Sequence, residues 1–163
     1  MGKCGKKMSV CIRKYQSSDA DGLAKLFWES VRNGTGHHYT YDERVAWAPD
    51  VPEVEGWHRR LNSMMTLVAE DDDGLAGFMT LELDGHIDLA YVRSDLIGKG
   101  IASQLYTQIE ALANANNIKM LYSEASHLAR RFFEKEGWEL VETQQVESSG
   151  RFLTNHRMRK CLG

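Results

Sequence analysis

The segment from Leu89 to Tyr106 constrains the fold of this chain more than any other. It runs from an apolar strand, through a polar turn that contains Gly98 and Gly100, directly into an amphipathic helix. The first N–H groups of a helix have no partner within the helix and lie at the positive end of its dipole. Because glycine has no side chain, an anion can approach this backbone closely. The segment therefore predicts a strand–turn–helix unit that binds a phosphorylated ligand, with Lys99 and Arg93 as nearby positive charges.

Two glycines before a helix are not specific by themselves, because a tight turn without any ligand explains them about equally well. A Walker phosphate loop is excluded, since the turn lacks Gly-x-x-x-x-Gly-Lys-Ser/Thr. The dinucleotide-binding fingerprint fits poorly, because Ser103 stands where a third glycine would be and the strand lies far along the chain. Other features of the sequence are therefore needed to assign a function to this turn.

Size and composition limit the possible classes of protein. With 163 residues and 42% hydrophobic content, the chain fits one compact domain, which we expect over residues 9–163 after a flexible leader of residues 1–8. A net charge of −3 argues against a nucleic-acid partner, and no apolar run approaches the ~20 residues that span a membrane. Three scattered cysteines form no metal-ligand spacing and indicate free thiols, so we expect a cytoplasmic protein.

The hydrophobic patterns predict one α/β domain with a mixed sheet and the order β-α-α-β-β-β-α-β-α-β-β. Turn signals at residues 71–74 and 84–85 predict two hairpins between three antiparallel strands. The predicted strands are 10–15, 65–69, 75–83, 86–92, 120–124, 138–147 and 152–160. The predicted helices are 17–32, a short helix from 40, a third helical piece from 52, 100–115 and 126–136.

Three blocks of the sequence resemble the GCN5-related N-acetyltransferases, the GNAT family. The first is the strand Asp88–Val92 with the turn Ile97–Ala102, which matches the last four positions of the family's Gln/Arg-x-x-Gly-x-Gly/Ala loop. The second, Ala129–Trp138, is similar to the family's Ala-x-x-x-Tyr-x-x-x-Gly-Phe segment. The third, Val146–Met158, resembles the YafP-type bacterial subgroup together with His37–Tyr39 and Ala46–Pro49. The blocks occur in the family's order and span nearly the whole chain.

The resemblance implies that an acetyl group moves from acetyl-CoA, the cosubstrate, to an amine of a small molecule or peptide by direct attack on the thioester. In this family the fourth and fifth strands splay apart, leaving a V-shaped slot for the pantetheine arm. Backbone groups of the fourth strand would pair with the pantetheine amides, and the turn would receive the pyrophosphate. The residues implied to bind acetyl-CoA are Leu89, Ala90, Tyr91, Val92, Ile97, Gly98, Lys99, Gly100, Ile101, Ala102, Ala129, Phe132, Phe133 and Lys135.

Two positions depart from the family pattern. Ile97 stands where the family has Gln or Arg, so we expect weaker cofactor binding unless Lys99 or Arg93 compensates. Phe133 stands where a tyrosine often protonates the leaving thiolate, and it has no proton to give. Ser126, Tyr122 or solvent must then supply that proton. Arg130 and Arg131 are candidates for the adenosine 3′-phosphate, or are simply solvated helix charges.

Acetyl transfer to an amine requires a base that takes a proton from the ammonium form. Asp88 occupies a position at which many family members carry a glutamate base. Strand alternation places His86 and Asp88 on one face, so the two could act together. The alternative is a carboxylate that only binds substrate or closes a hairpin. Asp88, His86 and Ser126 are therefore the predicted catalytic side chains.

The predicted acceptor-binding residues are His38, Tyr39, Trp47 and Asn155. Alternatively, His38 and Tyr39 lie at the surface, and Trp47 is an ordinary core residue. A metal site is not expected, because neighbouring histidines point apart and no carboxylate or cysteine stands at ligand spacing. We expect a monomer or homodimer without nucleic-acid or membrane partners. A second hypothesis is a regulatory module that binds acyl-CoA without turnover, which Ile97 and Phe133 would favour.

Overall fold

The computed structural model describes residues 9–163, so the predicted leader of residues 1–8 lies outside the described residues. The strands are β1 Cys11–Lys14, β2 Met65–Asp71, β3 Gly74–Leu81, β4 Ala90–Val92, β5 Met120–Ala125, β6 Glu139–Ser148 and β7 Arg151–Cys161. The helices are α1 Ala20–Gly34, α2 Tyr41–Trp47, α3 Val54–Asn62, α4 Ile101–Ala115 and α5 His127–Lys135. Short 3-10 helices cover Ser17–Asp19 and Ser94–Leu96. No helix within residues 9–163 is long and apolar enough to cross a bilayer.

The strands form two antiparallel sheets. The first has the order β1-β2-β3-β4, and the second has the order β5-β7-β6. Near the start of the gap between β4 and β5, His86 and Tyr122 form an isolated parallel bridge. The Ile87 N–H donates to the Tyr122 carbonyl at 2.9 Å, and the Tyr122 N–H donates to the Gly85 carbonyl at 3.1 Å. Beyond this bridge the two strands diverge, as predicted for the V-shaped slot.

Helices cover both faces of the first sheet, because its central strands are buried on both sides. In β3, Phe78 faces the cluster that includes Leu23 of α1 and Leu61 of α3. Its neighbour Met79 faces the opposite cluster, which includes Leu105 of α4. All five side chains are at most 1% exposed. Burial of each contributes roughly 1.5–3 kcal/mol relative to an exposed position, and this packing holds α1, α3 and α4 around the slot.

Two features differ from the prediction. Three helices lie between β1 and β2, as the three predicted helical segments indicate, whereas the predicted element order counted two. The strand predicted at 86–92 is confined to Ala90–Val92, because the chain turns at Gly85, which has a φ of +98°. A Cβ at Gly85 would lie 2.0 Å from the Met120 carbonyl oxygen, so only glycine fits this close approach. Residues 86–89 therefore lie outside the regular ladder, but their burial still alternates: Ile87 and Leu89 are buried, whereas His86 and Asp88 are half-buried.

Side-chain caps set the start of two helices near the slot. Thr40 and Glu43 form the predicted capping box of α2, with hydrogen bonds of 3.2 and 2.9 Å. The Ser126 hydroxyl oxygen accepts a hydrogen bond from the Ala129 N–H at 3.1 Å and so caps α5. These caps position the loop before α2 and the start of α5 at the slot.

Candidate functional site

A cavity of about 480 Å³ opens where β4 and β5 diverge. Its walls are β4, the turn before α4, the first turns of α4 and one face of α5, and its volume is in the usual range for ligand sites. Every residue predicted to bind acetyl-CoA lines this cavity except Leu89 and Lys99. Leu89 is buried, and both of its backbone groups bind Thr80. Lys99 is exposed.

The turn before α4 presents several unpaired donors. Gly98 and Gly100 have φ of +83° and +85°, and a Cβ at either position would meet no atom within 4 Å. No backbone acceptor within residues 9–163 is assigned to the N–H groups of five residues: Gly98, Gly100, Ile101, Ala102 and Ser103. The Lys99 N–H differs, because it donates to the Leu96 carbonyl at 3.2 Å. The structure therefore has a cluster of amide donors at the start of a 15-residue helix, where an anion is favoured.

The backbone of β4 presents a second set of polar groups. In an antiparallel pair, alternate residues exchange hydrogen bonds with the partner strand and the residues between them point away from it. The Arg93 N–H donates to the Ala76 carbonyl, and the Leu89 carbonyl accepts from the Thr80 N–H, so these are the bonded positions. The backbone groups of Ala90 and Val92 consequently point away from β3, toward the gap, where the Val92 carbonyl already accepts a hydrogen bond from the Ser30 hydroxyl at 3.0 Å.

The wall formed by α5 contains Ser126, Ala129, Arg131, Phe133 and Lys135. Because the Ser126 oxygen accepts from the helix backbone, its own O–H remains able to donate. Phe133 is 1% exposed and stacks on Trp138 with ring centroids 4.1 Å apart. It contributes packing and has no titratable proton.

His86 and Asp88 bind different partners, although the Asp88 charge also acts on His86 and helps to raise its pKa. The two ring nitrogens of His86 bind Glu82 at 2.9 Å and Glu124 at 2.6 Å. The Asp88 carboxylate accepts two hydrogen bonds from the Arg60 guanidinium, at 2.8 and 3.1 Å. Asp88 lines a separate open depression rather than the 480 Å³ cavity. Arg60 of α3 holds the Asp88 carboxylate in that depression, which both residues line.

Tyr122, the alternative proton donor, is also engaged elsewhere. Its hydroxyl donates to Asp84, which raises the pKa of Tyr122 to about 12. Its ring stacks on His86 with centroids 4.8 Å apart. Arg93, proposed to compensate for Ile97, likewise binds Asp95 at 2.7 Å. Neither side chain lines the cavity.

Aromatic side chains form the other end of the cavity. Tyr91 and Trp47 both line it, with ring centroids 6.4 Å apart. Burial raises the pKa of the Tyr91 hydroxyl well above its ordinary value, so this group stays protonated. The charges of Arg60 and Asp88 both act on Tyr91 and place that ion pair near its hydroxyl. Sequence reasoning assigned Tyr91 only as a backbone contact and missed this side chain.

The loop before α2 carries Tyr39 and His38 to the same side of the molecule. The Tyr39 hydroxyl donates to the Thr154 carbonyl at 2.8 Å and accepts from the His127 N–H at 3.3 Å. His38 lies beside His127, with ring centroids 6.0 Å apart. Burial, followed by the nearby Arg131 charge, lowers the pKa of His38. Tyr39 is therefore a buried anchor, whereas Trp47 contacts the cavity directly.

A histidine pair lies next to this loop. His127 Nδ1 and His156 Nε2 are 2.8 Å apart, so one ring donates a hydrogen bond to the other. Burial and the neighbouring His127 lower the pKa of His156. Only tertiary structure brings these residues together, and no sequence signal indicated the pair. The predicted Asn155 lies outside the cavity lining, and its buried Oδ1 has no partner among residues 9–163.

The described part of the chain contains no group of three or more metal-ligating side chains placed to hold a metal ion. The polar groups that do converge on the cavity are amide N–H donors, the Ser126 hydroxyl, and the cationic side chains of Arg131 and Lys135. Together with the apolar walls, these groups suit an elongated ligand that carries phosphate at one end.

Comparisons with known proteins agree with this geometry. Residues 35–161 match the sequence profile of the acetyltransferase (GNAT) domain. Over 151 residues the chain is 30% identical to the N-acetyltransferase YafP of Escherichia coli (strain K12), covering 93% of this chain and 95% of YafP.

Solved structures show the same fold. The crystal structure of a GCN5-related N-acetyltransferase from Rhodopseudomonas palustris has a TM-score of 0.89 and 31% identity, covering 96% of this chain and 98% of that chain. The structure of yncA from Salmonella typhimurium with its cofactor acetyl-CoA has a TM-score of 0.71 and 17% identity, with 94% of each chain covered.

Proposed function

Because the chain belongs to the GNAT family of acetyltransferases, we propose that the cavity between β4 and β5 binds acetyl-CoA and presents its thioester to an amine. The observation that carries this proposal is the cluster of free amide donors at the turn before α4. The structure of yncA, which shares the fold, contains acetyl-CoA. When bound, acetyl-CoA supplies an acetyl group activated as a thioester.

The residues present fit this ligand in two places. Gly98 and Gly100 leave open space above the amide donors, so pyrophosphate oxygens can approach the backbone. The outward-facing backbone groups of Ala90 and Val92 supply the partners that pantetheine amides need. Ile97 gives no side-chain charge. Lys99, which is exposed beside the turn, is the proposed compensating cation, because Arg93 is already paired with Asp95.

Ser126 is the proposed donor of a proton to the departing thiolate. Its hydroxyl lines the cavity, and its proton is not needed for capping α5. Phe133 has no such proton, and Tyr122 is bound to Asp84 outside the cavity. Ser126 therefore combines access to the cavity with a free O–H.

Asp88 is the proposed base, acting through the Tyr91 hydroxyl or through water. The support is that Tyr91 lines the cavity while the Arg60–Asp88 pair lies near its hydroxyl. In the proposed reaction the amine nitrogen bonds to the acetyl carbon and the carbon–sulfur bond breaks. The proton from the amine passes toward Asp88, which releases it to water. The sulfur takes a proton from Ser126, and the Ser126 oxygen regains one from water. His86 is not proposed in this role, because both ring nitrogens are occupied by glutamates.

The acceptor is proposed to enter past Trp47, with His38 and Tyr39 shaping that side of the molecule. Asn155 stays a predicted contact for a bound acceptor, since its buried Oδ1 has no partner among residues 9–163. An amine on a small molecule or a peptide is the proposed acceptor class. A cytoplasmic location and a monomeric or homodimeric state stay predictions.

The test compares two glycine variants with matched backbone strain. Gly100 and Gly150 have φ of +85° and +80°, and both face open space. In Gly100→Ala the new Cβ would occupy the open space in which a pyrophosphate oxygen is proposed to lie, so one charge-assisted hydrogen bond is lost. Such a bond is worth about 1.5 kcal/mol or more, so coenzyme A binding is expected to weaken at least about tenfold. Gly150→Ala, in the β6–β7 turn, is expected to bind like the wild type.

Calorimetry with coenzyme A measures both affinities. Thiol release from acetyl-CoA across a panel of amines then separates an enzyme from a module that binds without turnover. Equal affinities for the two variants would contradict the assignment of the turn to pyrophosphate.

A further inference from the structure

One side chain separates the cavity from a second recess. The recess has a volume of about 410 Å³ and lies between α1, the segment that follows α2, and α3. We call it the aromatic groove, defined by Phe27, Trp47, Pro49, Pro52 and Trp57. Among residues 9–163, Trp47 alone lines both the groove and the cavity. Its indole is therefore the wall between the two spaces.

Two aromatic neighbours hold Trp47 in this position. The Tyr39 ring meets it edge-on, with centroids 5.3 Å apart, and the Tyr91 ring lies 6.4 Å away. Tyr39 is itself fixed, because its hydroxyl binds the Thr154 carbonyl of β7. The indole is thus anchored through Tyr39 to the second sheet.

The acyl group of the cofactor belongs at this end of the cavity. Acetyl-CoA carries its phosphates at one end and its acyl group at the far tip of the pantetheine arm. With the pyrophosphate at the turn before α4 and the arm along Val92 and Ala90, the tip reaches the end that Tyr91 and Trp47 line. The acyl chain therefore meets the indole.

The floor of the aromatic groove lies directly beyond this wall. The Phe27 ring lies 5.2 Å from Trp57 and 5.0 Å, edge-on, from Tyr91, measured between centroids. These contacts continue the aromatic surface from the end of the cavity into the groove. Aromatic faces offer a large apolar area to an aliphatic chain.

The charges around the aromatic groove balance one another. Asp50 and Glu53 are the carboxylates that line it. The charge of Arg59 acts on Glu53, Arg60 also lines the groove, and Arg32 binds two backbone carbonyls at its edge. The groove therefore selects no ion, and its apolar floor decides what fits.

We propose that Trp47 sets the length of the acyl chain that the cavity accepts, by separating the acetyl position from the aromatic groove. The proposal deepens the proposed acetyl transfer and rests on it. In the wild type the indole stops any chain longer than acetyl. Without the indole the cavity and the groove form one space, and a longer aliphatic chain extends over Phe27 and Trp57.

Two thioethers of coenzyme A test the wall without turnover, because a thioether has no acyl group to transfer. S-ethyl-coenzyme A has the length of the acetyl thioester, and S-hexyl-coenzyme A is four methylenes longer. Calorimetry is expected to show that the wild type binds the hexyl compound at least about tenfold more weakly, since an apolar pocket discriminates even one methylene by about that factor. Equal affinities would overturn the proposal.

The variant Trp47→Ala is expected to reverse this preference. It should bind S-hexyl-coenzyme A about tenfold more tightly than the ethyl compound, which corresponds to burial of about two of the added methylenes. Trp47→Leu keeps an apolar side chain against Tyr39 and should lose most of the discrimination. The control Trp28→Ala removes a half-buried indole of α1 that lines neither space, and should discriminate like the wild type. Wild-type discrimination in both Trp47 variants would show that another group stops the chain.

Coenzyme A itself separates this proposal from the proposed function. It has no substituent on sulfur, so its affinity measures the rest of the site. If the wild type does not bind coenzyme A, the proposed function fails. If the wild type binds coenzyme A but does not discriminate between the two thioethers, the proposal for Trp47 alone fails.

Discussion

Ser126 shows how one hydroxyl can serve structure and chemistry together. Its oxygen accepts the Ala129 N–H and caps α5, while its proton remains available in the cavity wall. Capping and proton donation use different parts of the same group, so a suitable substitution can remove one and keep the other.

We expect Ser126→Asn to keep the cap, since asparagine is a good N-cap, and to lower kcat about a hundredfold, the scale of lost acid–base assistance. Ser126→Ala should lower kcat similarly and also cost about 1 kcal/mol of unfolding free energy. Steady-state thiol release and urea denaturation measure the two effects. Wild-type kcat in Ser126→Asn would mean that solvent protonates the thiolate.

The variant Asp88→Asn should lower kcat about a hundredfold without changing coenzyme A affinity, because Asp88 lies outside the cavity. Glu142→Gln is the control, because it removes a carboxylate paired with an arginine, Arg157, at a position outside the cavity lining. Kinetics and calorimetry check both. Unchanged turnover in Asp88→Asn would discard Asp88 as the base.

Among the secondary-structure elements, the contact between the segment before β4 and β5 includes one histidine as well as backbone hydrogen bonds. His86 lies near the start of the gap and binds Glu82, just after β3, and Glu124 of β5. Partial burial disfavours the charged ring, but the hydrogen bonds to Glu124 and Glu82 outweigh it and raise the pKa of His86 above 6.5. The protonated ring therefore clamps the two sheets together where the slot begins.

This clamp makes stability depend on pH. The pKa of His86 is higher in the folded chain than the ordinary histidine value of 6.5, so protonation of His86 stabilises the folded state. This stabilisation is complete below pH 6.5 and is lost as the pH rises through the pKa of the folded chain. His86→Gln should lose unfolding free energy relative to the wild type at pH 6, with the difference shrinking by pH 9. Urea denaturation measures it, and His37→Gln, at an exposed position, is the control. A pH-independent difference would refute the clamp.

At the scale of the whole molecule, Tyr39 ties the first half of the chain to the second. Its hydroxyl joins Thr154 of β7 and the N–H of His127 in α5, and its ring stacks on His127 with centroids 4.8 Å apart. The loop before α2 thus depends on the second sheet for its position beside the cavity.

Tyr39→Phe is expected to cost about 1 kcal/mol of unfolding free energy, because the half-buried Thr154 carbonyl and His127 N–H lose a partner. It should also raise KM for the acceptor more than it lowers kcat. Tyr41→Phe is the control, since Tyr41 is 63% exposed and should change neither quantity. Denaturation and kinetics provide both measurements. Equal stability of the two variants would contradict the anchoring role.

The sequence by itself determined the family, the enzyme class and the position of the turn before α4, and the comparisons confirm the first two. These features depend on local order: an apolar strand, glycines with positive φ, and a helix directly after them. Helix caps at Thr40 and Ser126 were also predictable, because the capping residue and the backbone it binds lie three positions apart.

Only the tertiary structure decided which polar side chains meet. Arg60 and Asp88 are 28 residues apart in sequence, and His127 and His156 are 29 apart. The shortening of β4 at Gly85 depends on the close approach of Met120 from another strand. Alternation of burial persists from residue 86 to residue 89, but the partners of His86 and Asp88 come from other elements. Long-range packing sets such contacts, and no local pattern encodes them.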